Sequence, residues 1–232
     1  MSIQADQIIV ALDHANFDEC KSFVNSIGSN LRFVKIGSIL YSACGPKVLE
    51  FFAQKNIRIF LDLKYHDIPN TVSHSIEAVL QHAPIDLLTI HASGGSEMIS
   101  QAKQTVEESK TKTQLIAVTV LTSLDQKNLS EIGFASEPST MVLKLANLAI
   151  TSGADGVVCS PNEIGLIRKN ISKKITVVVP GIRPAGEKTN DDQKRTATPE
   201  HAFEQGASYV VIGRPITQGK NPADVFQKIL QG

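Results

Sequence analysis

Two acidic residues and a lysine lie within six positions of the sequence, directly after a short apolar run. The segment 61–71 reads Leu-Asp-Leu-Lys-Tyr-His-Asp-Ile-Pro-Asn-Thr and holds Asp62, Lys64 and Asp67. The preceding run, residues 57–61, has the β-branched and aromatic content of a buried strand. Because side chains alternate along a strand, we expect Asp62 and Lys64 to be neighbours at its end, with Asp67 in the next loop. A carboxylate beside an ammonium suits acid–base and electrostatic chemistry, although it can also be an ordinary strand-end salt bridge.

Eight apolar runs alternate with amphipathic stretches along the chain. The runs are continuous rather than alternating, which is typical of parallel strands covered by helices. The predicted strands are 8–12, 32–36, 57–63, 86–91, 114–121, 155–159, 175–179 and 208–212. The predicted helices are 17–27, 46–54, 72–82, 96–108, 140–152, 162–169, 199–205 and 222–230. Eight repeats in 232 residues favour an α/β fold, a closed (β/α)8 TIM barrel forming a single domain over residues 1–232, over an open doubly wound sheet.

Composition limits the classes of partner. Lys plus Arg equals Asp plus Glu at 23 each, so no net charge recruits nucleic acid or an anionic membrane, and we expect a small-molecule partner. The three cysteines fit no metal-ligand spacing and suggest reduced thiols. The N-terminus has no basic segment followed by a long apolar run, so neither secretion nor membrane insertion is indicated. We therefore expect a cytoplasmic protein without a bound metal.

Polar residues recur where a barrel of this type places its active site, at the carboxyl ends of strands and in the loops after them. The residues at those positions are Asp13, Lys35, Asp62, Lys64, His91, Thr122, Ser123, Arg183 and Arg214. Any one of them could be a helix cap or a solvated loop charge. Their joint placement predicts that they converge on one site.

The end of the last predicted strand indicates a phosphorylated ligand. Gly213 lets a ligand approach the backbone, Arg214 offers a planar fork for an oxyanion, and loops after strands seven and eight form the usual phosphate site of this architecture. Arg183 and Gln193 lie in the preceding polar loop, residues 181–198, and are placed to close over the same anion. Loops of this length in compact domains are often lids.

These blocks together resemble the bacterial orotidine 5′-phosphate decarboxylase family. The resemblance rests on segments 34–37, 62–71, 91–95, 121–123, 180–183 and 211–216, so it extends over the chain. No functional position of the family pattern differs here, and Tyr65 stands where phenylalanine is common in the family. An Asp-x-Lys pair alone is less specific, because related barrel decarboxylases and aldolases carry it too.

The resemblance implies a reaction and its catalytic residues. Carbon dioxide would leave C6 of orotidine 5′-monophosphate to give uridine 5′-monophosphate, the last step of de novo pyrimidine synthesis, with neither metal nor cofactor. Lys64 would donate the proton and stabilise the developing negative charge. Asp62 would hold Lys64 and face the substrate carboxylate, and Lys35 and Asp67 would complete an alternating array of charges.

The resemblance also implies how the nucleotide is held. The substrate-binding residues would be Asp13, Lys35, Asp62, Thr71, Thr122, Arg183, Gln193, Gly213 and Arg214. Asp13, Lys35 and Thr71 would hydrogen-bond the ribose, Thr122 would orient the pyrimidine, and the residues from Arg183 onward would bind the phosphate. In the family, Asp67 and Thr71 reach the site from a partner subunit, which implies a homodimer with shared active sites.

Two other functions remain open from the sequence. A magnesium-dependent phosphosugar enzyme of the same barrel type, such as a 3-keto-gulonate-phosphate decarboxylase or a hexulose-phosphate synthase, also carries Asp-x-Lys. Those enzymes place a glutamate metal ligand at the end of the second strand, where this chain has Lys35, a cation that would repel a divalent ion. A non-catalytic phosphate-ligand binding protein is the second alternative, but it would not need Lys64 beside Asp62.

Overall fold

A computed structural model describes residues 3–184 and 196–231. At its centre lies a closed barrel of eight parallel strands, each paired with the next along the chain and the last paired with the first. The strands are β1 Ile8–Leu12, β2 Phe33–Gly37, β3 Arg58–Tyr65, β4 Leu87–His91, β5 Gln114–Val118, β6 Gly156–Val158, β7 Thr176–Val179 and β8 Tyr209–Ile212. The predicted (β/α)8 barrel is confirmed.

Helices follow the strands and cover the outside of the barrel. They are α1 Phe17–Ile27, α2 Ser38–Cys44, α3 Lys47–Gln54, α4 Pro69–Leu80, α5 Gly95–Glu108, α6 Gln126–Glu131, α7 Pro138–Thr151, α8 Ile164–Asn170, α9 Pro199–Glu204, α10 Arg214–Thr217 and α11 Pro222–Gln231. All eight predicted helices are present, and α2, α6 and α10 are additional short helices. In the described residues no helix is long and apolar enough to cross a membrane.

The helix ends show why the sequence folds in this way locally. The Asn16 side chain accepts a hydrogen bond from the Glu19 backbone N–H at 2.8 Å and caps α1. Helix α4 begins three residues earlier than predicted, because Pro69 occupies its first turn, where a missing N–H costs no helical hydrogen bond. Strand β3 therefore leads into α4 through a short turn around Asp67 and Ile68.

Two apolar layers hold the barrel together. The larger lies between the strands and the helices, and the smaller fills the barrel interior. The interior cluster consists of Ile9, Ala11, Phe33, Phe60, Leu87, Ile116, Val178 and Val211. Because these side chains fill the barrel, ligand space is left only at its ends.

Arg58 covers the amino end of the barrel. Its guanidinium lies 4.1 Å from the centre of the Phe33 ring and donates a 2.8 Å hydrogen bond from Nε to Asp86. It also stacks near Tyr209, with 5.5 Å between the guanidinium carbon and the ring centre. Because Arg58, Phe33 and Tyr209 are the first residues of their strands, the cation and the two rings close this end together.

Candidate active site

A cavity of about 500 Å³ opens at the carboxyl end of the barrel. Its volume lies within the range of small-molecule sites. Of the residues predicted from sequence to form the site, it is lined by Asp13, Lys35, Asp62, Lys64, Thr122, Ser123, Arg183, Gly213 and Arg214. Residues from six strands, or from the loops after them, therefore meet at one cavity, whereas His91 of the expected set does not line it. The cavity floor is apolar and includes Phe60, Val178 and Val211 of the barrel interior.

Charges of alternating sign run along one wall of the cavity. Lys35 Nζ lies 3.7 Å from Asp13 Oδ1 and 3.5 Å from Asp62 Oδ2. Lys64 Nζ donates a 2.9 Å hydrogen bond to the same Asp62 oxygen. Strands β1, β2 and β3 are consecutive in the barrel, which explains how residues far apart in sequence form this row.

The Asp62 carboxylate is the central anion of this row and is almost inaccessible to solvent, with 7% of its surface exposed. Burial alone would raise the pKa of Asp62. The positive charges of Lys35 and Lys64, together with hydrogen bonds from Lys64 and Thr89, outweigh that effect, so the pKa lies below its ordinary value. Asp62 is thus ionised at neutral pH. The buried anion fixes the position of the Lys64 ammonium.

The backbone at Lys64 departs from regular strand geometry. Its φ is +53°, in the left-handed region that residues other than glycine rarely adopt. The pairing of β3 with β4 shifts register between Leu61 and Tyr65. Asp62 and Lys64 are neighbours as predicted, but the regular side-chain alternation of a strand does not persist at Lys64.

Gly37 leaves room for the Lys35 ammonium. A Cβ atom at position 37 would lie 2.8 Å from Lys35 Nζ and 3.7 Å from Asp13 Oδ1. Gly37 is also the register partner of Asp62 in the next strand. A side chain here would displace the cation from between its two carboxylates.

The loops after β7 and β8 place two arginines on the cavity. Arg214 is the first residue of α10, directly after Gly213, and Arg183 follows β7. Hydrogen bonds from the Arg183 N–H to the Ala197 carbonyl, 2.9 Å, and from the Ala197 N–H to the Gly181 carbonyl, 3.3 Å, tie together the base of the loop. Gln193 and most of the predicted lid lie outside the described residues.

Asp67 and Thr71 do not line the cavity of their own chain. Both are exposed, and Asp67 Oδ1 accepts a 2.7 Å hydrogen bond from the Ile68 N–H. His91 ends β4 as expected but is not a lining residue. Burial lowers the pKa of His91, His66 and Lys64 lower it further, and Asp62 opposes them.

Two residues with contacts at this site were not identified from the sequence. Thr89 lies beneath Asp62 and hydrogen-bonds it, and Gln218 lines the cavity beyond α10. A signal for Thr89 existed, since it is a polar residue inside the apolar run 87–90. Gln218 has no such signal, because α10 was not predicted. Within residues 3–184 and 196–231, no three His, Cys, Asp or Glu side chains are grouped to hold a metal ion.

Comparisons with known proteins agree on one family. The model of the orotidine 5′-phosphate decarboxylase / HUMPS family matches residues 6–229. The chain is 42% identical to the orotidine 5′-phosphate decarboxylase of Pasteurella multocida strain Pm70, covering 96% of this chain and 95% of that protein. It is 44% identical to the protein of the same name from the Wolbachia pipientis of Culex pipiens, strain wPip, covering 97% of both. The crystal structure of orotidine 5′-phosphate decarboxylase from Lactobacillus acidophilus superposes with a TM-score of 0.86 at 37% identity, covering 97% of this chain and 98% of that one.

Proposed function

The chain belongs to the orotidine 5′-phosphate decarboxylase / HUMPS family, and we infer that it decarboxylates orotidine 5′-monophosphate to uridine 5′-monophosphate. It is a carboxy-lyase of the last step of de novo pyrimidine synthesis. The observation that carries this function is the row Asp13, Lys35, Asp62 and Lys64 inside a nucleotide-sized cavity. The Pasteurella multocida and Wolbachia pipientis relatives, each more than 40% identical, select the decarboxylase within the family.

Lys64 supplies the proton in our proposal. When the bond between C6 and the carboxylate breaks, the electron pair stays on C6 in an orbital that the ring does not delocalise well. The Lys64 ammonium, held 2.9 Å from Asp62, stabilises that charge and then transfers a proton to C6. Because Asp62 holds the cation before the reaction begins, little reorganisation is needed as the charge develops.

Asp62 contributes in a second way. It would face the substrate carboxylate, and two like charges about 4 Å apart repel by roughly 4 kcal/mol at an effective dielectric constant of 20. This repulsion disappears as carbon dioxide leaves. We rank it below the stabilisation by Lys64, which acts directly on the carbanion.

The remaining cavity residues bind the rest of the nucleotide in this proposal. Asp13 and Lys35 hydrogen-bond the ribose, and Thr122, which is 8% exposed, orients the pyrimidine. The phosphate is bound by Arg183 and Gln193 after β7 and by Gly213 and Arg214 after β8. Binding energy from the phosphate, remote from C6, then favours the transition state.

The test of the reaction is the fall in ultraviolet absorbance when purified protein meets orotidine 5′-monophosphate in the presence of EDTA. We expect full turnover with the chelator and no gain from added magnesium, because Lys35 stands where the magnesium-dependent relatives have a ligand. Loss of turnover on chelation would favour those relatives and overturn the assignment.

The test of Lys64 uses two variants and a control. Lys64→Ala removes the cation and its proton, and Lys64→Arg keeps a positive charge but places it on a larger planar group whose N–H groups lie at different positions. We expect both to lose turnover while their circular dichroism remains native. Lys169→Ala, an exposed lysine in the last turn of α8, should retain activity. Near-native turnover by Lys64→Ala would remove Lys64 from the role of proton donor.

We also propose a homodimer in which each subunit completes the site of the other. Asp67 and Thr71 are exposed and lie outside their own cavity, and the neighbouring Ile68 is 66% exposed. A two-fold contact across this turn would bury Ile68 and present both polar side chains to the partner. Lys64 would then act in its own subunit and Asp67 in the other.

Mixed dimers test the shared site. Lys64→Ala and Asp67→Ala are unfolded and refolded together, and turnover is compared with that of each variant refolded alone. In a heterodimer one site carries both lesions and the other carries neither. Random mixing makes about half the dimers heterodimers, so roughly a quarter of all sites should be intact. Activity no greater than that of the separate variants, with subunit exchange confirmed by mass, would show that Asp67 serves its own chain.

Two further proposals concern the chain as a whole. We propose that residues 1–232 act as one domain in the cytoplasm, a compartment that suits the free cysteines, two of which are buried. Limited proteolysis that releases a stable fragment would contradict the single domain. Recovery of the protein in a membrane or secreted fraction would contradict the location.

A further inference from the structure

Thr89 is a buried polar residue that contacts the catalytic groups without lining the cavity. It lies in the middle of β4 and has no exposed surface. Its neighbour two residues earlier, Leu87, belongs to the barrel interior, so Thr89 faces inward one layer above it. From this position its hydroxyl reaches β3 directly below the Asp62 carboxylate.

The hydroxyl oxygen of Thr89 hydrogen-bonds to two residues, Asp62 and Lys64, in the irregular part of β3. Thr89 Oγ1 accepts a 2.9 Å hydrogen bond from the Lys64 backbone N–H. It donates to Asp62 Oδ1 at 3.1 Å, with a longer contact of 3.5 Å to the Leu61 carbonyl. The hydroxyl therefore joins the backbone that carries the ammonium to the carboxylate that holds it.

The backbone hydrogen bond has a specific purpose at this position. Pairing between β3 and β4 is interrupted from Leu61 to Tyr65, and Lys64 has a φ of +53°. Such a conformation persists only where surrounding contacts fix it. The Thr89 hydroxyl supplies a partner for the Lys64 N–H where the regular ladder is broken.

The hydrogen bond to Asp62 fixes the rotation of the carboxylate. Lys35 and Lys64 both contact Oδ2, whereas Thr89 contacts Oδ1. With the two oxygens assigned to different partners, the carboxylate plane is set. Without the Thr89 donor, the carboxylate can turn and carry the Lys64 ammonium away from the reacting carbon.

We propose that Thr89 is a positioning residue for the decarboxylation, which sets the Lys64 ammonium and the Asp62 carboxylate relative to each other through one hydroxyl group. The proposal rests on the function inferred above and extends it to a residue that does not touch the substrate. Because it acts on the reacting end of the site alone, its loss should lower kcat and leave phosphate and ribose binding intact.

Thr89→Val tests the proposal, because valine keeps the shape and removes the hydroxyl. We expect kcat to fall by about 10- to 100-fold, the loss of a hydrogen bond to a charged group, while KM for orotidine 5′-monophosphate changes by less than about threefold. The Kd for uridine 5′-monophosphate, measured by calorimetry, should equal that of the unaltered protein. Thr89→Ser restores the hydroxyl and should recover most of kcat.

Thr113→Val is the matched control for loss of a buried threonine hydroxyl. Thr113 is 5% exposed and donates a 2.7 Å hydrogen bond to the Ile85 carbonyl, at the opposite end of the strands. It should change thermal stability without changing kcat. A native kcat in Thr89→Val, no recovery in Thr89→Ser, or a parallel loss of nucleotide binding would each overturn the positioning role. Absence of turnover in the unaltered protein would instead overturn the decarboxylase function, and this role with it.

Discussion

Asp62→Asn should expose the repulsion between the two lysines of the site. Lys35 Nζ and Lys64 Nζ lie 3.5 and 2.9 Å from the same oxygen, so they are no more than roughly 6.4 Å apart and repel by at least about 2.6 kcal/mol at an effective dielectric constant of 20. Only 15% and 32% of their side chains are exposed, which limits screening by water. We expect the free energy of unfolding to fall by about 3 to 5 kcal/mol, as for other buried ion pairs that lose one partner.

A second substitution makes this prediction sharper. Lys35→Met alone removes a partner of Asp62 and should destabilise the protein. In the Asp62→Asn background the same change also removes one of two repelling cations, which offsets the loss of the contact with the exposed Asp13, so Lys35→Met should destabilise the protein much less than it does alone. The assay is urea unfolding of the ligand-free protein at neutral pH, followed by far-ultraviolet circular dichroism because the chain has no tryptophan.

Asp86→Asn serves as the control. It also removes a carboxylate from an ion pair, but it leaves the single cation Arg58 at the amino end of the barrel. Its effect on stability should be smaller than that of Asp62→Asn, and turnover should be retained. If Lys35→Met destabilises the protein equally in both backgrounds, the two lysines do not repel each other across Asp62, and the electrostatic account of the site is wrong.

Three further predictions concern single positions. Arg214→Ala should lower kcat/KM for the nucleotide at least about tenfold, with little effect on orotidine that lacks the phosphate; an equal effect on both substrates would make Arg214 structural. Gly37→Ala should displace the Lys35 ammonium, which would lie 2.8 Å from the new Cβ, and lower kcat/KM by about tenfold or more in steady-state assays. Gly165→Ala is the control and should leave kcat/KM unchanged, because its Cβ would meet only a side-chain oxygen. The pKa of His91 is lowered in the folded protein, so between that lowered pKa and 6.5 the unfolded state binds more protons and the free energy of unfolding should rise with pH. Denaturation curves of His91→Asn should lack this rise. An unchanged pH dependence in the variant would contradict the prediction.

The fold could be predicted because its signals are local and repeated. All eight apolar runs became strands, since a strand buried on both faces must be apolar throughout. Helices α2, α6 and α10 were missed because one helix was expected after each strand, and each of these is a second, short helix that precedes a predicted one. The early start of α4 was missed because its predicted apolar pattern begins at Val72, although a proline such as Pro69 often begins a helix.

The site was predictable in its residue types and less so in its geometry. Strand-end position identified Lys35, Asp62 and Arg214, because a barrel brings the carboxyl ends of its strands together. The left-handed backbone at Lys64 could not be predicted from the sequence, since lysine does not favour it and the hydrogen-bond partner of its N–H, Thr89, lies 25 residues away. Long-range hydrogen bonds of this kind leave no periodic pattern.

The plugged amino end of the barrel determines how molecules travel through the protein. Phe33, Tyr209 and Arg58 close that end, and among the described residues the side chains of the barrel interior pack together above them. We therefore expect the nucleotide, carbon dioxide and the product nucleotide to pass through the carboxyl end of the barrel, beside Thr122 and Arg214. Because both products share this end of the barrel, the release of carbon dioxide should be coupled to the departure of the larger product.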